Sequence, residues 1–311
     1  MTEEHVNEPE RVPEVQVRTE TFPVDGPLQI DIAVTIGNVE IVLEETTEAR
    51  VELRRDATEK PPWVGNMTSM LNWVTEQFGN QFGNQFGADW DNSPAEAVEQ
   101  ARVEKVGNRL VIQAPKGLPL RNIPLSVTVH APAGSHLEVR AGAADVTAIG
   151  PAGRADVLTG SGVVALDRAD GAVIVRTGSG GIKLGPTPSG LQLQTGSGDV
   201  EASSLSGSAT LSTGTGDIWL GAVSGEVLAR SGSGDLSVAD AASGSLELIT
   251  GSGEIRVGIR PGTAAEIDLT SDGGKVSSEL DVAGSEPEGG STLKVRARTG
   301  SGNAVVTPAA P

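Results

Sequence analysis

Four acidic residues stand at one recurrent position in the second half of the chain: Asp199, Asp217, Asp235 and Glu254. Each follows a short Thr/Ser-Gly-Ser/Thr-Gly stretch, so each carboxylate comes with hydroxyls such as Ser197, Thr215 and Ser233. Carboxylates stacked at strand spacing repel one another unless something compensates. A hard cation with several oxygen ligands, such as Ca²⁺, is one remedy, which makes these four the candidate cation-binding residues. The other is that each Asp caps a turn through backbone N–H groups and turns into water, and this reading is favoured. The nine-residue GGxGxDxUx calcium-roll pattern is not matched. Trp219, with Glu201 one repeat earlier, is the further hint of chemistry, pointing at most to an extended glycan. His5, His130 and His136 form no recognisable ligand pattern, and no HExxH, P-loop or GxSxG motif is present. The chain therefore reads as non-enzymatic and free of cofactors, with no metal site assigned.

A repeat positions these residues. TGSGVVAL starts at Thr159, TGSGGIKL at Thr177, TGSGDVEA at Thr195, TGTGDIWL at Thr213, SGSGDLSV at Ser231 and TGSGEIRV at Thr250. Successive starts lie 18 residues apart four times and then 19. AGAADVTA from Ala141, TSDGGKVS from Thr270 and TGSGNAVV from Thr299 are looser copies. A fixed period this short suits one coil of a β-helix rather than a helical repeat. Within the period apolar residues alternate, as in Leu191, Leu193 and then Val200, Ala202, with Gln192, Gln194 and Glu201 between them. Period two means one face inward and one outward. The threonines share the parity of the inward leucines, so their hydroxyls are expected inside the corner. Glycine marks the corners, where it reaches positive φ and lets successive turns stack closely.

The expected fold is all-β: a single-stranded β-helix or solenoid with coils of about 18 residues, plus a short helical aromatic-rich insertion. The expected organisation is a disordered acidic tail over 1–13, irregular solenoid coils over 14–60, the insertion over 61–102, and regular solenoid over 103–308 with a loop near 282–291. The insertion holds three of the four tryptophans and three of the four phenylalanines. Met70, Val74, Phe78, Phe82, Phe86 and Trp90 recur every four positions, close to helical spacing. A second short helix is expected from Pro94 to about Val103. The candidate interaction residues are Trp63, Met67, Leu71, Trp73, Phe78, Phe82, Phe86 and Trp90. Three roles compete for them: packing on or capping the solenoid, docking a protein partner or second copy, and lying on a membrane surface. The first is favoured. The last is least supported, because no Lys or Arg lies between Lys60 and Arg102.

Bulk composition narrows the classes. Of 311 residues, 41 are Asp or Glu and 23 are Lys or Arg, a formal charge of −18 that repels nucleic-acid phosphates. With no cysteine, disulfides and thiolate chemistry are excluded. The N-terminal stretch MTEEHVNEPERVPE is polar and acidic, which predicts no signal peptide and a cytoplasmic setting. The expected partners are a protein or a second copy of the chain, not nucleic acid.

The repeated T-G-S-G-[D/E]-aliphatic coils resemble the bacterial DUF4097 family of β-strand repeat proteins, the putative-adhesin or LiaG-like proteins. The coils from Ala141 to Val306 carry the similarity, and the strand-like segments from about Val15 to Asp56 look like the family's usual front end. The resemblance implies a stacked β-fold and surface exposure. It implies no catalytic residues. Together with the readings above it predicts a scaffold or interaction module, with ligand binding to a divalent cation or an extended glycan as the alternative, and a glycan-active enzyme behind that.

Overall fold

The computed structural model describes residues 17–56, 95–118, 120–280 and 290–310. Among them, 21 strands join one continuous hydrogen-bonded sheet that wraps on itself. The repeat explains the wrapping. In one turn of chain, strand Leu191–Ser197 leads into a corner at Gly198 and Asp199, then strand Val200–Leu205, then a second corner before Ala209. Strand Leu191–Ser197 lies parallel between Val173–Ser179 and Ala209–Thr215, with Leu193 opposite Val175 on one side and Leu211 on the other. Strand Val200–Leu205 lies between Ile182–Leu184 and the start of Ile218–Ser233. Each turn of chain is thus a rung, about 4.8 Å from the next, and the rungs build two columns that meet at the glycine corner.

The core follows from period two. Leu193, Leu211, Val175, Val200 and Ile218 are all at most 1% exposed, while Gln192, Gln194 and Trp219 on the alternate positions face water. No rung can bury its aliphatic row alone, so cohesion is shared between neighbours.

The glycines are a packing requirement. A Cβ on Gly196 would stand 2.5 Å from the carbonyl oxygen of Gly178 on the preceding rung, and one on Gly198 would stand 2.3 Å from that of Gly180. Gly198 also has φ +138°, a region closed to most side chains.

The two ends differ from the middle. Toward the N-terminus, strand Gln29–Glu44 runs parallel to His136–Ala152 on one side, and on the other to Arg109–Gln113 and Leu125–Pro132. Beyond these the pairing turns antiparallel: Glu48–Arg55 against Leu125–Pro132, Val17–Pro23 against Glu48–Arg55, and Arg102–Val106 against Arg109–Gln113. Helical residues 95–100 close this end, with Ala97, Val98 and Ala101 buried. The Arg18 guanidinium donates to the carbonyls of Val98 (3.1 Å), Glu99 (2.9 Å) and Ala101 (2.6 Å). These are the orphan acceptors of a helix C-terminus, where positive charge is favourable.

At the other end the rungs are out of sequence order. Strand Leu293–Ser301 sits between the second half of Leu236–Ser252 and strand Ala265–Ser271. Likewise Ala304–Pro308 sits between Ile255–Ile259 and Val276–Ser278. Among the described residues the rung of 265–278 is therefore outermost, and the later rung of 293–308 lies beneath it.

The fold expected from the sequence is corrected in two respects. Among the described residues, helix is confined to 95–100 and one 3₁₀ turn at Leu120–Asn122, and no aromatic cluster accompanies it. The chain turns into strand at Arg102 instead of staying helical to Val103. The buried helical face is alanine and valine, side chains small enough to sit close against the sheet. The front half is mixed: Gln29–Glu44 stacks in parallel on His136–Ala152 as a coil does, while the reversals around it produce antiparallel pairs. Trp63, Met67, Leu71, Trp73, Phe78, Phe82, Phe86 and Trp90 lie outside the described residues, as does the expected tail over 1–13.

Candidate functional site

The four corner acids fall in one column. Asp199 Oδ1 accepts the N–H of Asp217 at 2.9 Å, Asp217 Oδ1 that of Asp235 at 2.7 Å, and Asp235 Oδ1 that of Glu254 at 2.7 Å. Each aspartate therefore caps the corner of the following rung rather than its own. Glu254 ends the series with its carboxylate paired to Arg256. Among the described residues, no group of three or more His, Asp or Glu side chains is arranged to hold a metal ion. Each of the three aspartates thus has a backbone N–H partner across the rung boundary.

Two members of the column were missed in the sequence. Asp145 Oδ1 accepts the N–H of Val163 at 2.7 Å, and Asn303 Oδ1 accepts that of Lys275 at 3.0 Å. Both sit at the acid position of a looser repeat copy, so the register itself was the signal.

The buried hydroxyls run the opposite way. Thr213 Oγ1 donates back to Gly198 O at 3.1 Å, Ser231 Oγ to Gly216 O at 3.0 Å, and Thr250 Oγ1 to Gly234 O at 2.9 Å. The corners at Asp199, Asp217 and Asp235 are thus stitched forward by a carboxylate and backward by a hydroxyl.

Outside the corners, a shallow groove runs along the second column. Lys183, Glu201 and Trp219 occupy the same outward position on three successive rungs. Lys183 Nζ lies 3.3 Å from Glu201 Oε1, and Trp219 is 46% exposed beside them. Ile149, Asp167 and Ser203 also line the groove. A flat indole next to a carboxylate and an ammonium suits the face of a sugar ring better than a deep apolar ligand.

The histidines are separate. His130 Nδ1 is 3.1 Å from Glu44 Oε1, and His136 Nδ1 accepts the N–H of Arg154 at 3.0 Å. At the corner after Val238, the Asp240 carboxylate grips Arg260 through Nε at 3.0 and 3.1 Å and through Nη2, and holds that guanidinium above its ordinary range.

The family model described as Toastrack DUF4097 matches residues 126–307, which bears out the resemblance carried by the coils. The chain is similar to the solved structure of a putative adhesin from Bacteroides fragilis, at 12% identity over 94% of this chain and 97% of that one, with a TM-score of 0.42. It is similar to another from Parabacteroides merdae, at 10% identity over 94% and 96%, TM-score 0.33. A putative cell adhesion protein from Clostridium sporogenes matches at 8% identity over 95% and 100%, TM-score 0.21. No curated protein matches the chain. The cytoplasmic placement expected from the polar N-terminal residues is withdrawn, and none of these adhesion names supports it. An acidic start chooses no compartment by itself.

Proposed function

The chain belongs to the Toastrack DUF4097 family, and from that premise we propose that it is a non-enzymatic structural scaffold and protein-interaction module. The observation that supports this most is the use made of its chemistry-bearing side chains. The corner aspartates and threonines hold successive rungs together through backbone hydrogen bonds, and the rungs present long regular faces to the outside. In this reading the aromatic residues of the segment 61–90 serve association with a protein partner or a second copy.

Light scattering on the full chain, with and without residues 61–90, tests the proposal. The expected result is a mass above the monomer for the full chain that falls to the monomer when the segment is removed. A monomer in both cases removes self-association and leaves a different protein as the partner. Release of reducing ends from a panel of polysaccharides, lost in Glu201→Gln, overturns the non-enzymatic reading altogether.

A second reading rests on the groove at Trp219. There the module binds an extended glycan, its sugar face on the indole and its hydroxyls on Glu201 and Lys183. Trp219→Ala is expected to abolish retention on an immobilised polysaccharide that retains the native protein. Equal retention of the two proteins removes this reading.

A further inference from the structure

The two ends of the stack are not equivalent. The N-terminal end is turned into antiparallel pairs and covered by helical residues 95–100. At the C-terminal end, among the described residues, strand Ala265–Ser271 pairs only with Leu293–Ser301, and Val276–Ser278 only with Ala304–Pro308. Among the described residues nothing pairs with their outer edges, which are therefore a template for another strand. The aliphatic row is unfinished as well. Leu293, Val295 and Ala297 are buried one rung below, whereas their partners Ala265, Ile267 and Leu269 are only half-buried. Val276 sits in register with the buried Ala304 yet is 48% exposed.

The charges on this rung say what fits it. Glu266 and Asp268 alternate with the half-buried aliphatics. On the inner side they are met by a strand of opposite pattern, LKVRARTGS, with Lys294 opposite Glu266, Arg296 opposite Asp268 and Arg298 opposite Thr270. Lys294 Nζ lies 3.3 Å from Glu266 Oε2. The molecule thus contains the complement of its own open edge, but that strand occupies one side only. A second copy of the edge is a poor occupant. Parallel in-register pairing opposes Glu266 to Glu266 and Asp268 to Asp268, and antiparallel pairing centred on Asp268 opposes it to itself; like charges directly opposite destabilise a sheet.

We propose that the outer edge of residues 265–278 is a strand-addition site for an extended protein segment in which aliphatic residues alternate with Lys or Arg. Main-chain bonds supply affinity, Ile267, Leu269 and Val276 receive the aliphatic side chains, and Glu266 and Asp268 select for basic ones. This inference rests on the interaction-module reading and names the class of partner.

The probe is a fluorescein-labelled LKVRARTGS peptide added to the full chain and followed by anisotropy. Three comparators accompany it: a peptide with its three basic residues replaced by Glu, a shuffled peptide of the same composition, and the variant E266K/D268K. The basic alternating peptide is expected to bind, more weakly at high salt, and to protect residues 265–278 from hydrogen exchange. The variant is expected to weaken it by roughly tenfold and to gain binding of the Glu-bearing peptide. If the variant melts below the native protein, E266Q/D268N takes its place, with loss but no swap expected. Equal binding of the shuffled peptide, protection elsewhere on the chain, or no binding at all overturns the proposal. A dimer joined through residues 265–278 overturns it in favour of a second copy. If the peptide fails while light scattering still reports a complex, the interaction-module reading survives and only this edge is wrong.

Discussion

The difference between two glycines, one at the motif corner and one at the other turn, shows what the repeat motif is for. Gly216 has φ +146°, and a Cβ there would stand 2.2 Å from Gly198 O. Gly190 has no such φ and only Ser208 Oγ, 3.9 Å away. Gly216→Ala is expected to cost about 1–3 kcal/mol from backbone strain alone, and more from the overlap. Gly190→Ala should stay within about 0.5 kcal/mol of the parent. Urea unfolding of the two variants checks the contrast. Asp217 gives a second pair. Asp217→Ala removes the acceptor for the Asp235 N–H and should cost about 0.5–1.5 kcal/mol. Asp217→Asn keeps the acceptor and should melt with the native protein. The column itself was legible, since Asp199, Asp217 and Asp235 share a position in each copy. Its direction was not: the residue spacing that aligns an aspartate with its own turn aligns it equally with the next.

Along a strand, the alternation of Leu191, Leu193 and Thr195 was enough to assign the inward face, because a pleated strand has only two faces. Leu193 touches rungs on both sides. Leu193→Ala is therefore expected to cost about 2–5 kcal/mol, against less than about 0.5 kcal/mol for the outward Gln192→Ala. Thermal melts of the pair decide whether the core is continuous at this rung. The front half was less readable. Strands such as Glu48–Arg55 and Leu125–Pro132 show the same alternation whether their neighbour runs parallel or antiparallel, and only the short reversal between Glu44 and Glu48 hints at the latter. The helix at 95–100 was placed by its Ser-Pro-Ala-Glu start, but its length was not, since Arg102 and Val103 suit a strand edge as well as a last helical turn.

For the whole molecule, rung order is the feature that sequence conceals. Both TSDGGKVS and TGSGNAVV fit the slot above the rung of residues 236–259, and a period says nothing about which copy takes it. In the structure the later copy wins, its buried Leu293, Val295 and Ala297 making the fuller contact. Removing residues 293–308 should therefore also strip protection from residues 265–278, leaving them without a partner. Replacing residues 265–290 with a short linker should leave the rung of residues 293–308 in place. Amide hydrogen exchange on the two deletions separates these outcomes. The same crossing has a consequence during synthesis. A ribosome delivers residues in numerical order, so the stretch 265–278 emerges with its seat not yet made. It must wait unseated, or settle wrongly on the seat meant for its successor, until residues 293–308 arrive and displace it.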